Sequence, residues 1–380
     1  MTDAEKHKEN IVNNLVGIKF EGRPIPLWDE KDKLTDKMKQ FKVPGLSIVV
    51  INDFQIDWTL HEGVQDLNSN KKLTPETLFE AASTTKALTA VLALHFVENG
   101  ILDLDEEINT KLKNWKIPEN EFTEKEKVTL RRLLTHMAGI NRPDSLFSYE
   151  EGKTPTLIQV LNGESPALND PVKVEFIPGS KHQYSNIGYT IIQQLLEDVT
   201  GKSFHQLMKE VIFEPLEMNN STLEFPLPDN FSQRAVLPHT AKGEAKDKGL
   251  HASALAHGNL SCTSIDLSKF LLELMNTYNG KSEKILSKNM VRKMFESQRS
   301  FGPTELMGFS DQALGVFLMR NDKNSFFLHP GGNEPGANCF LIGSPTTGHG
   351  AILMSNGSMG ELINMQLIYT IAKDYEWNFG

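Results

Sequence analysis

The sequence predicts an α/β fold of the α+β kind, in which an antiparallel sheet is built from both ends of the chain and flanked by helices. Two observations predict it. Strand-like apolar runs occur near both ends of the chain, whereas helical spacing of apolar residues dominates the middle. We therefore assign residues 1–82 and 300–380 to a sheet lobe and residues 83–299 to an inserted, mostly helical lobe. We expect the active site in the cleft between the lobes.

The N-terminal part is predicted to be a helix followed by a β-hairpin. Residues 34–41 have helical spacing, which ends where a Pro-Gly pair breaks the helix. Residues 46–51 form a β-branched run, and residues 55–60 return as a second strand after an Asn-Asp turn signal.

Residues 83–99 are predicted to form a helix buried in the core, because apolar side chains occur nearly all round it. Further helices are predicted in the middle of the chain, over residues 128–135, 187–199, 203–211, 265–275 and 290–295. Towards the C-terminus, strands are predicted over residues 314–319, 325–329, 338–342 and 351–354, and a helix over residues 360–376.

Composition and charge argue against several classes of function. The 380 residues carry a formal net charge of −10, so nucleic acid and anionic membranes are not expected as partners. No apolar stretch reaches the roughly 18 residues of a membrane span. Residues 1–14 lack the apolar core of a signal peptide, so a cytoplasmic location is expected, with Cys262 and Cys339 reduced. No H-E-x-x-H or paired-cysteine motif occurs, and we expect no metal and no other cofactor.

The first candidate motif is S-x-x-K, formed by Ser83 and Lys86 at the start of the buried helix. The spacing alone is weak, since Ser69 and Lys72 also fit it in a polar turn. Ser83 has an alternative interpretation as a helix N-cap. The catalytic interpretation explains more, because the two side chains share one helix face and the helix start offers backbone N–H groups to an oxyanion. A lysine beside an apolar helix can also have its pKa lowered enough to act as a base.

The second candidate motif contains Tyr184 and Asn186, just before a predicted helix. A tyrosine at such a position is usually half-buried packing. Beside a lysine it would instead shuttle a proton between the nucleophile and the leaving group. The asparagine would hydrogen-bond both the lysine and an amide of the substrate.

The third candidate motif runs from His329 through Pro330 to Gly331 and Gly332, after a predicted strand. A strand end followed by a glycine turn is its ordinary interpretation. Two glycines, however, let a ligand approach the backbone closely. Because proline cannot donate to a sheet ladder, we expect this segment at an exposed edge, where a substrate or an oxyanion would find a free N–H.

These three elements, in this order, resemble the motifs of the serine β-lactamase and penicillin-binding-protein superfamily in its class C-like branch: S-x-x-K, Y-x-N, and K-T-G or H-x-G. Longer blocks carry the same resemblance, namely LLTHMAG at 133–139, YSNIGYTIIQQLLEDVTG at 184–201 and HPGGNEPG at 329–336. The similarity extends from about Leu34 to Trp377. It implies a β-lactamase/transpeptidase-like fold and a relationship to family VIII carboxylesterases and D-aminopeptidases.

The resemblance also implies roles for the motif residues. Ser83 would form an acyl-enzyme, and Lys86 and Tyr184 would share general-base work and protonate the leaving group. Asn186 would help to hold the substrate. The backbone N–H groups of Ser83 and Gly332 would form the oxyanion hole.

The third motif departs from the family pattern in two ways that bear on substrate. His329 would occupy the position of a lysine cation, although a histidine titrates near neutral pH. Pro330 replaces a threonine whose hydroxyl would bind a substrate carboxylate. Both changes favour small esters or amides over β-lactams and peptides ending in D-Ala. A β-lactamase-like hydrolase, a D-amino-acid peptidase acting on short peptides and an acyltransferase remain alternatives.

Three other classes fit less well. An α/β-hydrolase with its nucleophile at Ser358 would need a later histidine, and none follows His349. In a metalloenzyme, His251 and His257 would be candidate ligands, but they lack ligand spacing. A catalytically inactive binding relative would be expected to lose the nucleophile, the lysine or the tyrosine, and all three are present.

Overall fold

The computed structural model describes residues 1–17, 32–143, 147–246, 253–302, 309–321 and 323–377. Its helices are α1 Asp3–Asn13, α2 Leu34–Gln40, α3 Thr85–Glu98, α4 Leu130–Leu134, α5 Leu157–Asn162, α6 Asn186–Thr200, α7 Phe204–Met208, α8 Asp229–Ser232, α9 Ser264–Tyr278, α10 Lys288–Met294 and α11 Gly360–Asp374. Its strands are β1 Gly45–Asn52, β2 Gln55–Gly63, β3 Phe79–Glu80, β4 Ser221–Thr222, β5 Ser261–Cys262, β6 Arg299–Ser300, β7 Asp311–Gln312, β8 Phe317–Arg320, β9 Ser325–Asn333, β10 Ala337–Gly343 and β11 Gly350–Ser355. A 3₁₀ turn, Ala82–Thr84, precedes α3.

Eight of the described strands form one antiparallel sheet in the order β2-β1-β11-β10-β9-β8-β7-β6. Strands β1 and β11 come from opposite ends of the chain and lie side by side, with Leu46 opposite Ser355 and Ile51 opposite Gly350. The predicted sheet built from both ends is therefore confirmed.

Helices cover both faces of this sheet, which explains why β1 is buried along nearly its whole length. Val49 and Ile51 belong to a core shared with α3 and α9. Ile48 and Val50 point to the opposite face and belong to a core shared with α1, α2 and α11. None of the helices in the described ranges combines the length and apolar character needed to cross a bilayer.

Three predicted strands have one boundary that is wrong by three or more residues. The strand predicted to end at residue 60 continues to Gly63 as β2. The strand predicted to begin at residue 314 begins at Phe317, because Gly315 lies in a turn with φ of +77°. The strand predicted to end at His329 continues to Asn333 as β9, so Gly331 and Gly332 lie in a strand and not in a turn. Pairing with β10, in which Gly331 lies opposite Cys339 and Gly332 opposite Asn338, outweighs the local preference of the two glycines for a bend.

The second half of β9 is an edge in the described structure. Strand β8 pairs with β9 as far as Leu328, whereas β10 continues beside it to Asn333. Pro330 is tolerated there because an edge residue needs no ladder partner on its outer side. The predicted edge is confirmed for this half of the strand. It contacts the 3₁₀ turn, where the Thr84 hydroxyl donates to the His329 carbonyl oxygen at 3.1 Å.

Candidate active site

Ser83 lies at the centre of the 3₁₀ turn, directly before the buried helix α3. Ala82, the residue before it, has φ of +46°, in the left-handed region that a side chain disfavours. Such a backbone persists only where its surroundings fix it. The N-cap position of α3 is held by Thr84, without a side-chain cap. The N-cap interpretation of Ser83 is therefore wrong, and its hydroxyl is engaged by Lys86 instead.

The Lys86 amine is fully buried beside Ser83, with Nζ 3.0 Å from Ser83 Oγ. It also donates a hydrogen bond to the backbone carbonyl oxygen of His257. The rings of Tyr184 and Tyr189 lie 5.0 and 5.6 Å from Nζ. Burial lowers the pKa of Lys86 well below its ordinary value, because desolvation disfavours the ammonium form. A neutral amine in this position can accept the proton of a serine hydroxyl.

Tyr184 also contacts Ser83. Its phenol is hydrogen-bonded to the Ser83 side chain. Burial raises the pKa of Tyr184, although the Ser83 hydrogen bond and the charge of Arg142 oppose the change. Tyr184 is thus a neutral phenol at pH 7 that can donate or relay a proton.

His136 supports Tyr184 from behind, a role that the sequence motifs did not indicate. Its ring packs 4.3 Å from the Tyr184 ring, and its Nδ1 accepts a hydrogen bond from the Ser185 backbone N–H at 3.1 Å. Burial lowers the pKa of His136 well below its ordinary value, and the nearby His182 and Lys86 act in the same direction. The LLTHMAG block marked this histidine as a family feature, but its hydrogen-bond partner lies 49 residues away in sequence.

Asn186 begins α6, with Ser185 as the N-cap whose side chain accepts from the Gly188 N–H. The Asn186 side-chain oxygen is buried and has no hydrogen-bond partner among the described residues. The expected hydrogen bond to Lys86 is not formed, because that amine is directed at Ser83 and at the carbonyl of His257. The amide oxygen is therefore left without a hydrogen-bond partner within the described ranges.

His329 is a buried, neutral ring in β9, with Nδ1 2.7 Å from the Pro330 carbonyl oxygen. Burial and the neighbouring Lys86 lower its pKa to about 3, and the hydrogen bond to Pro330 only partly opposes this. His329 therefore does not supply the cation that the family resemblance implies.

Gly331 brings the edge of β9 against the backbone of the 3₁₀ turn. A Cβ atom at this position would lie 2.5 Å from the Ala81 carbonyl oxygen and 3.0 Å from the backbone nitrogen of Ser83. At Gly332 a Cβ would meet only the Asn338 side-chain oxygen, at 3.5 Å. Only glycine therefore fits at position 331, whereas position 332 has room for a side chain.

A cavity of about 320 Å³ opens beside Ser83 and Tyr184. Its walls are formed by the edge of β9, by β8 and β10, and by one side of α11. The described residues contain no group of three or more His, Cys, Asp or Glu side chains placed to hold a metal ion. His251 lies outside the described ranges.

The whole-chain comparison decides the family. A family model described as Beta-lactamase matches residues 31–369. The chain belongs to the beta-lactamase family. The superfamily resemblance predicted from the three motifs is confirmed, and so is the fold class.

Curated relatives match part of this beta-lactamase family chain. Protein flp of Staphylococcus aureus (strain MW2) is 26% identical over 188 residues, which is 48% of this chain and 35% of that protein. N-acetylmuramyl-L-alanine amidase of Bacillus subtilis (strain 168) is 26% identical over 213 residues, 54% of this chain and 48% of the relative. The chain therefore spans about a third to a half of the length of these relatives.

Solved structures share the fold over most of the chain. An octameric penicillin-binding protein homologue from Pyrococcus abyssi has a TM-score of 0.73 at 25% identity, covering 89% of this chain and 75% of that one. A D-amino acid amidase from Ochrobactrum anthropi SV3 has a TM-score of 0.74 at 20% identity, covering 98% and 100%. A D-alanine carboxypeptidase AmpC from Burkholderia cenocepacia has a TM-score of 0.72 at 18% identity, covering 98% and 99%.

Proposed function

We propose that the chain is a serine hydrolase that acts through an acyl-enzyme on Ser83, with small esters or amides as substrates. The observation that carries the proposal is the contact between Lys86 Nζ and Ser83 Oγ at 3.0 Å, made by an amine whose burial lowers its pKa. A lysine that is neutral at pH 7 can serve as a general base, whereas an ammonium cannot.

The first half of the reaction transfers the acyl group to the enzyme. Lys86 takes the hydroxyl proton of Ser83 as Oγ attacks the substrate carbonyl. The oxyanion is stabilised by the backbone N–H groups of Ser83 and Gly332. The proton then passes from Lys86 through the Tyr184 phenol to the leaving alcohol or amine, and the bond between carbonyl carbon and leaving atom breaks.

The second half returns the enzyme to its starting state. Water attacks the acyl carbonyl and gives a proton to the neutral Lys86 amine. The bond between the carbonyl carbon and Ser83 Oγ then breaks, the acid leaves, and Lys86 returns the proton to Ser83. Asn186 would accept a hydrogen bond from an amide N–H of the substrate through its unpartnered side-chain oxygen.

The third motif supports a preference for substrates without a carboxylate. The neutral His329 offers no positive charge to an anion, and Pro330 offers no hydroxyl. Relatives and neighbours named as amidases and a carboxypeptidase support amides as substrates. We place small esters before amides as substrates because Pro330 lacks the hydroxyl that would bind a substrate carboxylate.

The test is hydrolysis of p-nitrophenyl butyrate by the wild type and two matched serine variants. Ser83→Ala is expected to abolish turnover. Ser69→Ala, in the exposed second S-x-x-K sequence, is expected to retain it. Nitrocefin turnover above the ester rate would overturn the substrate preference. Equal rates for wild type and Ser83→Ala would overturn the function.

A further inference from the structure

The cavity beside Ser83 is lined by residues to which the proposed reaction assigns no role. It extends from Ser83 and Tyr184 along the free edge of β9 to one side of α11. Most of its wall is apolar, formed by Phe309, Phe317, Met319, Phe340 and Ile368. A volume of about 320 Å³ is that of a small-molecule pocket, so an apolar group of the substrate would fit here.

Asn364 is a polar residue in this mostly apolar wall. The side chain is 2% exposed and lines the cavity, and its oxygen has no hydrogen-bond partner among the described residues. A buried acceptor without a partner is costly, unless a ligand supplies the donor. The cavity is therefore suited to a group that carries an N–H or O–H as well as apolar surface.

Glu361 gives the cavity a negative charge. Among the described lining residues it is the one ionised side chain, because His329 is neutral. The carboxylate is exposed at the first turn of α11 and forms no ion pair in the described ranges. Its full negative charge outweighs the roughly half positive charge of the helix end. A cation would be favoured at this point and a carboxylate disfavoured.

The position of the cavity indicates which part of a substrate would occupy it. Tyr184, the residue that would deliver the proton to the leaving atom, lines the cavity, whereas Asn186 does not. A group leaving from the carbonyl on Ser83 would be next to Tyr184 and would extend from there towards α11.

We propose that this cavity binds an apolar leaving group that carries an ammonium or another N–H donor, recognised by Glu361 and Asn364. This inference rests on the proposed function, since it names the substrate class of the same site. The enzyme would then cleave esters or amides of apolar amino-alcohols, aminophenols or diamines in preference to those whose leaving group carries a carboxylate.

The test uses three butyrate esters that share one acyl group, so that every reaction passes through the same acyl-enzyme. The alcohols are 4-(aminomethyl)phenol, 4-ethylphenol and 4-(carboxymethyl)phenol, and each kcat/KM is divided by the rate constant of alkaline hydrolysis. We expect the aminomethyl ester to exceed the ethyl ester by roughly fivefold, the size of an exposed charge interaction. The carboxymethyl ester should be slowest.

Glu361→Gln should reduce the ratio between the aminomethyl and ethyl esters towards one. Asn364→Leu should lower the aminomethyl rate more than the ethyl rate. The control Glu121→Gln, which neutralises an exposed glutamate that does not line the cavity, should leave the ratio unchanged. Equal normalised rates for all three esters, or a ratio unaffected by Glu361→Gln, would overturn the inference and leave the hydrolase proposal intact.

A binding measurement separates this inference from the function. Calorimetry on Ser83→Ala should show 4-methylbenzylammonium binding more tightly than 4-methylbenzoate, with the difference lost in the double variant that also carries Glu361→Gln. If no ester is hydrolysed but this difference is found, the hydrolase proposal fails and the cavity chemistry stands. Equal binding of the two ions would overturn the cavity chemistry.

Discussion

The imidazole Nδ1 of His136 accepts a hydrogen bond from the backbone N–H of Ser185 at 3.1 Å. This bond requires an unprotonated Nδ1, which agrees with the lowered pKa that burial gives His136. Because the same ring packs on Tyr184, the contact fixes the start of α6 and the tyrosine beside Ser83 together. His136 thus acts as a positioning residue for Tyr184.

The first prediction concerns this positioning. His136→Leu removes the acceptor for Ser185 and should lower kcat by about 10- to 100-fold with little change in KM, because the proton relay through Tyr184 is misplaced. His136→Asn keeps an acceptor and tolerates the φ of +57° at this position, so it should recover most of the loss. Steady-state kinetics with p-nitrophenyl butyrate provide the measurement. Equal losses in the two variants would contradict the positioning role.

The second prediction concerns the buried Lys86 amine. The unfolded chain holds the lysine proton up to pH 10.5, while the folded protein releases it at lower pH. The unfolded state therefore binds more protons in this window, and wild-type stability rises with pH there. Lys86→Met lacks this dependence. The free energy of unfolding of Lys86→Met minus that of the wild type should therefore decrease by roughly 1 kcal/mol per pH unit between pH 8 and 10, because only the wild type gains stability.

Urea unfolding of the wild type and Lys86→Met across that pH range measures the difference. Lys72→Met, at the exposed lysine of the second S-x-x-K sequence, is the matched control and should follow the wild type. A constant difference between Lys86→Met and wild type would mean that Lys86 stays protonated in the fold. Lys86→Met should also lose several powers of ten in kcat, because the general base is absent.

The third prediction compares the two glycines of β9. Gly331→Ala places a Cβ 2.5 Å from the Ala81 carbonyl oxygen, so either the strand edge or the 3₁₀ turn must move. We expect a lower melting temperature and a loss of kcat of about 100-fold, since a small displacement at the reacting centre is costly. Gly332→Ala meets only Asn338 at 3.5 Å and should melt close to the wild type. Equal melting temperatures for the two variants would contradict the close contact.

The fourth prediction concerns His329 at acid pH. The unfolded histidine takes up a proton near pH 6.5, whereas in the fold burial lowers the pKa to about 3. Between these values the unfolded state binds more protons, so stability is lost as the pH falls. His329→Gln has a side chain that stays neutral. Between pH 6 and 4 its free energy of unfolding, measured by urea unfolding, should therefore fall by roughly 1 kcal/mol less per pH unit than that of the wild type. The control variant is His205→Gln, on α7. If the free energy of unfolding of His329→Gln depended on pH as steeply as that of the wild type, His329 would be charged in the fold.

Much of the fold and the core of the site could be predicted because both depend on local patterns. The all-round apolar helix after Ser83 identifies α3 as buried, and burial beside Ser83 is what lowers the pKa of Lys86. The strands at both chain ends likewise follow from their apolar runs. In each case the residues that carry the pattern are neighbours in sequence.

The features that could not be predicted depend on contacts between distant segments. The carbonyl that holds Lys86 belongs to His257, 171 residues away, and a backbone carbonyl leaves no trace in a motif. The extension of β9 past His329 depends on its pairing with β10 and on the fit of Gly331 against the 3₁₀ turn, which is distant in sequence. The neutral state of His329 follows from its burial, which no short motif specifies.

Peptide mass mapping after treatment with a fluorophosphonate probe tests most directly whether Ser83 is the nucleophile. We expect a single phosphonylated peptide with the modification on Ser83, absent from Ser83→Ala and formed much more slowly in Lys86→Met. Modification of Ser69, or of Tyr184 in place of Ser83, or no modification of a folded protein, would contradict this expectation.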